Sequence, residues 1–129
     1  KDMGVKRGGR RKTLNYNEIQ DRDLIYDSGP STLKELREKI KRSKFILWNG
    51  PIGYIEGGFK GGTRSLARML ARAKAEVIAG GGSTVAFLQQ EKLLSSYSFV
   101  STGGGAMLNF LAEGTLPGIE AMLKNQPRR

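Results

Sequence analysis

The chain has 129 residues, 38% of them hydrophobic, and a formal net charge of +10. That length suits one domain with a modest core and excludes two large ones. With neither cysteine nor histidine, the sequence excludes disulfides, thiolate or imidazole metal sites and a histidine base. Any catalysis falls to backbone donors, carboxylates, lysine, arginine or a bound cation.

Lys1, Lys6, Arg7, Arg10, Arg11 and Lys12, offset only by Asp2, put half of the net charge at the N-terminal end. No apolar run approaches the roughly 18 residues of a membrane span, and "KDMGVKRGGRRK" leads into no apolar segment, so the chain reads as soluble and without a signal peptide. Residues 1–22 form a basic, weakly patterned segment and are expected to be irregular. They read as a solvated end rather than a nucleic-acid arm, because Tyr16 is their one aromatic and no interleaved stacking pattern surrounds it.

The elements follow in order. "DLIYDSGP" predicts a short buried strand, Leu24 to Tyr26, stopped by Gly29-Pro30. Ser31 then caps "STLKELREKIKR", whose Leu33, Leu36 and Ile40 share one helix face. "KFILWNGP" predicts a second strand, Phe45 to Trp48, and the glycine-rich loop "IGYIEGGFKGG" follows it. Thr63 opens "TRSLARMLARAK", with an apolar stripe of Leu66, Met69, Leu70 and Ala73; Arg64, Arg68 and Arg72 recur along another face. The third strand is Glu76 to Ala79, and its helix is "STVAFLQQEKLL". A fourth strand, Ser98 to Ser101, runs into "TGGGAMLNFLAEG", and "LPGIEAMLK" makes a last helix with Pro117 in its first turn.

Strands alternating with amphipathic helices predict an α/β fold, a Rossmann-like parallel sheet of about four β-α units with a C-terminal helix. In such sheets ligands bind at the carboxyl edge of the strands, and here that edge carries two GGG turns, Gly80–Gly82 and Gly103–Gly105. Backbone N–H groups at a helix start lack intrahelical partners and face the positive end of the helix dipole, and glycine lets an anion approach them closely. Ser83 and Thr84 either donate hydroxyls to such an anion or simply cap the helix. Asn49 either binds phosphate or forms an Asx turn, Glu56 is either a sugar-hydroxyl acceptor or a surface acid, and Trp48 reads as core. No Walker A spacing occurs; "GGFKGGT" lacks it.

In their order and spacing, "LIYDSGPST", "LWNGPIGYIE", "AGGGSTVAFL", "FVSTGGGAMLNFL" and "GTLPGIEAM" resemble the C-terminal part of phosphoglycerate kinase, over roughly residues 23–124. The resemblance divides the chain into residues 1–22 and a nucleotide-domain portion, 23–129. It implies a cytoplasmic glycolytic kinase that moves a phosphoryl group between 1,3-bisphosphoglycerate and ADP, giving 3-phosphoglycerate and ATP with Mg2+. Asn49 would then lie beside the transferring phosphate, Gly53 and Tyr54 at the adenine, and Glu56 at the ribose. Gly81, Gly82, Ser83 and Thr84 would face the nucleotide phosphates. Gly103, Gly104 and Gly105, with Gly81 and Gly82, would line the transfer path, where positioning and electrostatics supply most of the catalysis.

Two departures follow. Ser83 stands where the family carries an acid that helps hold the magnesium nucleotide, and a neutral hydroxyl is a poorer ligand for a hard cation. The phosphoglycerate-binding domain and the first half of the nucleotide domain have no counterpart in this sequence. The chain alone is therefore expected to be an incompetent kinase, with an exposed sheet edge and an uncovered apolar face. The alternatives are a degenerate copy or a non-catalytic module that binds phosphate or a polyanion.

Overall fold

The computed structural model describes residues 1–125. Its first element is a hairpin, in place of the expected irregular segment: β1 (Asp2–Arg7) and β2 (Arg10–Asn15) pair antiparallel, with Arg7 opposite Arg10. Gly8 and Gly9 turn the corner with φ of +55° and +79°, the paired positive values that a two-residue hairpin turn requires. The basic charges hide this pattern in the sequence, yet Val5 is fully buried.

The strand expected at Leu24–Tyr26 is β3 (Leu24–Ser28), and it too departs from expectation. It pairs antiparallel with β1, giving a separate sheet of order β2-β1-β3, and Leu24 and Ile25 are exposed. Asp23, just before it, accepts from the Arg7 guanidinium, which ties β1 to the start of β3.

The helix α1 (Pro30–Arg42) has Gly29 as its N-cap, and Ser31 does not cap it. Its orphan N–H groups are met from β1: Ser31 and Thr32 donate to the two carboxylate oxygens of Asp2 at 3.1 and 3.0 Å. Partial burial pushes the Asp2 pKa upward, but the donors of Ser31 and Thr32 outweigh it and hold the carboxylate at about 2. The N-terminal hairpin thus supplies the cap that the helix's own sequence lacks.

Beyond α1 the chain is parallel α/β. Strands β4 (Phe45–Asn49), β5 (Glu76–Gly80) and β6 (Phe99–Ser101) form a three-stranded parallel sheet in that order, one strand fewer than expected because β3 belongs elsewhere. Between and after them run α2 (Gly61–Leu70), α3 (Gly82–Gln90), α4 (Gly104–Glu113) and α5 (Pro117–Lys124). Pro117 sits in the first turn of α5, as expected. Helix α2 starts before Thr63, which is buried and accepts from the Gly53 N–H at 3.1 Å. Helix α3 stops at Gln90, short of the expected Leu94, and Lys92 takes a positive φ of 57° just beyond.

Alternation along the strands explains the layering. Ile46, Trp48, Val77 and Ala79 point to one face, where Leu66, Leu70, Phe87 and Leu88 bury them and Leu36 and Ile40 of α1 pack alongside. Trp48 is core, as expected, although its buried Nε1–H has no hydrogen-bond partner among the described residues. The Tyr97 hydroxyl donates to the Ala67 carbonyl at 2.9 Å, and burial raises its pKa. Arg64 and Arg68 both reach Glu91, clamping α2 to the end of α3; the hydrogen bond from Arg64 lowers the Glu91 pKa. The opposite face stays open: Phe45, Leu47 and Phe99 are exposed, as are Leu111, Met122 and Leu123 of α4 and α5. β4 and β6 are both edges, so the expected uncovered face and open edge are present.

Candidate functional site

The parallel ladder brings three loops to one carboxyl edge. Asn49 ends β4 opposite Gly80 of β5, and Gly80 pairs with Ser101 of β6. Gly81 leaves the sheet with φ of +95°, and its N–H donates to the Ser101 carbonyl at 2.9 Å. The Gly50 N–H is shared between the Gly80 carbonyl at 3.3 Å and the Thr84 hydroxyl at 3.1 Å. Thr84 is fully buried, so its hydroxyl fastens the Asn49-Gly50 turn to α3. Ser83 is exposed, and no side chain caps α3 or α4. The sequence left capping open for Ser83 and Thr84; neither caps.

The glycines here divide by what surrounds them. A Cβ on Gly104 would fall 2.2 Å from the Asn49 Oδ1 and 2.7 Å from Gly81 Cα and N, so the two GGG turns touch and admit no side chain between them. A Cβ on Gly80 would meet the same Asn49 oxygen at 3.0 Å, and on Gly81 at 3.1 Å. Backbone packing requires glycine at Gly104 and the positive φ favours it at Gly81, whereas at Gly80 only the Met107 and Asn49 side chains stand close. At Gly82 and Gly105, by contrast, a Cβ would meet nothing within 4 Å, and at Gly103 nothing nearer than 3.7 Å. Packing does not require glycine at these three positions, and they stand at the uncapped starts of α3 and α4. The structure thus brings together Asn49, Gly81, Gly82, Ser83, Thr84 and Gly103–Gly105.

Gly53, Tyr54 and Glu56 form a second group, on the loop between β4 and α2. A Cβ on Gly53 would lie 2.3 Å from the Phe59 carbonyl and 2.5 Å from the Asp27 carboxylate, so packing accounts for that glycine. Asp27, which sequence reading passed over, accepts from the Gly62 N–H at 3.0 Å and holds the loop's far end. Tyr54 stacks on Tyr26 at 5.5 Å between ring centroids, and Tyr26 packs on Phe59 at 4.7 Å. A flat base needs about 7 Å to insert between two rings, so none fits between Tyr54 and Tyr26; the Tyr54 side chain is itself half-exposed, with Gly57 against its ring. Tyr26, Asp27 and Phe59 give no signal in sequence, since their role arises from β3 lying across the loop. Glu56 is exposed and makes no hydrogen bond among the described residues.

Magnesium finds little here. No group of three or more acids, histidines or cysteines converges among the described residues, and the exposed side-chain oxygens at the start of α3, the Ser83 hydroxyl and the Asn49 amide, are neutral. A hard divalent cation prefers carboxylates, so the chain's own donors do not fit it.

Fold and edge define a class: an open α/β protein with its glycine turns at the carboxyl ends of parallel strands. The family model "Phosphoglycerate kinase" matches residues 2–114, taking in the hairpin that the motifs alone did not reach. The phosphoglycerate kinase of Vibrio campbellii is 40% identical over 107 residues, covering 82% of this chain and 28% of that protein. That of Pseudothermotoga lettingae is 41% identical over 120 residues, 92% of this chain and 30% of that one. The solved structure of phosphoglycerate kinase from Coxiella burnetii superposes with a TM-score of 0.80 at 38% identity, over 92% of this chain and 32% of its own. The chain belongs to the phosphoglycerate kinase family, and it spans less than a third of the length of these relatives. Among the described residues, no helix is long and apolar enough to cross a membrane.

Proposed function

We propose that this chain carries the nucleotide-phosphate side of a phosphoglycerate kinase site. It binds the phosphates of ADP or ATP at the joined starts of α3 and α4. The observation that carries this reading is that Gly82, Gly103 and Gly105 are glycine where packing does not demand it, at two uncapped helix starts beside Asn49. Backbone N–H groups there stabilise charge on a phosphoryl oxygen, the Asn49 amide orients it, and buried Thr84 fastens the Asn49-Gly50 turn to α3. Tyr54 offers its half-exposed ring to the base, and Glu56 accepts from ribose hydroxyls. 3-Phosphoglycerate and 1,3-bisphosphoglycerate would be held by residues outside these 129, so the chain alone does not turn over.

The exposed, neutral Ser83 favours a second reading, a phosphate binder that has lost its hold on magnesium. Calorimetric titration with ADP, with and without magnesium, separates the two. Saturable binding strengthened by magnesium supports the kinase reading; equal binding supports the second; no binding to the folded chain refutes both.

A further inference from the structure

We infer that the trough between α1 and α2 is a docking site for an acidic, amphipathic peptide segment of a partner protein. The trough has a volume of about 720 Å³. Its floor is apolar, formed by Ile40, Met69 and Ala73, all partly accessible. Its rim is cationic: Arg37 and Lys41 on one side, Arg68, Arg72 and Lys74 on the other. Lys41 pairs with Glu38, and Arg68 reaches Glu91 at 3.4 Å. Arg37, Arg72 and Lys74 have no ion-pair partner among the described residues. The trough also lies on the helix-covered side of the parallel sheet, opposite the open face of Phe45, Leu47 and Phe99. Cover on that open face would lie across the sheet from the trough.

Charge and shape together select the occupant. A cationic rim alone would suit any polyanion, but an apolar floor gains free energy only from a ligand that brings apolar groups into it. A helix with leucines on one face and glutamates on the other meets floor and rim at once, and Met69 is an adaptable surface for such side chains. RNA fits less well because no aromatic lines the trough to stack a base. An anionic bilayer is flat and does not reach the floor.

The test uses the whole chain and a labelled synthetic peptide of about fifteen residues, leucine on one helical face and glutamate on the other, followed by fluorescence anisotropy at near-physiological salt. The comparison ligands are the same peptide with serine for leucine, single-stranded RNA, and vesicles containing phosphatidylserine. The amphipathic peptide is expected to bind saturably and at least about tenfold tighter than the serine version or the RNA. Arg72→Glu with Lys74→Glu on α2's side, and separately Arg37→Glu on α1, should each weaken it at least about tenfold. All three side chains are exposed, and an unchanged thermal midpoint confirms that the variants remain folded. Absent binding, equal binding of the serine peptide, tighter binding of RNA or vesicles, or indifference to both variants overturns the proposal.

Discussion

Gly82→Ala separates a glycine kept for a ligand from one kept for a turn. The added Cβ meets nothing within 4 Å, and Gly82 does not have a positive φ. The fold therefore accepts alanine, and restricting the unfolded chain stabilises it by about 0.4–1 kcal/mol. For a domain of this size that raises the midpoint by roughly 2–4 °C in scanning calorimetry. Binding moves the other way. A methyl at the start of α3 stands where a phosphate oxygen approaches the N–H, and losing one charge-assisted hydrogen bond costs about 1.5–3 kcal/mol, roughly a 10- to 150-fold weaker Kd for ADP. Gly104→Ala is the contrast: its Cβ would lie 2.2 Å from Asn49 Oδ1, and overpacking of that kind costs about 1–3 kcal/mol whether or not a ligand binds. If Gly82→Ala binds ADP like the parent, the glycine is a turn residue and the phosphate cradle is refuted. If it melts below the parent, the open space inferred around it is wrong.

Ser83→Asp should add a hard ligand at the start of α3, so that magnesium strengthens ADP binding more in the variant than in the parent; the same titrations on parent and variant check it. Tyr54→Ala should weaken ADP by about 1–3 kcal/mol of lost stacking while leaving inorganic pyrophosphate binding unchanged. Asp2→Ala removes the cap of α1 and should cost about 1 kcal/mol in urea unfolding at neutral pH. Stability should also fall in acid. The side-chain hydrogen bond from Arg7 holds Asp23 at about 2, and Asp2 is also at about 2, both below the ordinary 3.8. Their contribution is complete above the ordinary value and is lost as pH falls through the folded one, between about 5 and 2. Thermal midpoints in that window should drop less steeply in Asp2→Ala than in the parent.

The open sheet face has consequences for handling the chain. Phe45, Leu47 and Phe99 project from one side of the parallel sheet, and both outer strands offer unpaired backbone. Such edges and faces template association. The family relatives are about three times as long, so the chain presents as surface what a longer protein has material to bury.

By itself the sequence determined the α/β class, three of the four strands it assigned to the parallel sheet, the stripes of α1 and α2, and the two GGG turns at one sheet edge. These are local signals: period, glycine and proline punctuation, and chain order constrained by crossover geometry. Motif order also pointed to the family, because several linked segments had to match together. Only the tertiary structure decided which glycines are free. Gly104 and Gly82 look alike in sequence, yet one faces Asn49 across the turn and the other faces open space. It also moved Leu24–Ser28 out of the parallel sheet and turned a basic end into a hairpin, since Asp2 caps a helix 30 residues away in the chain. Contacts between distant segments carry no periodicity, so a cap or clash that joins two elements appears only once both are folded.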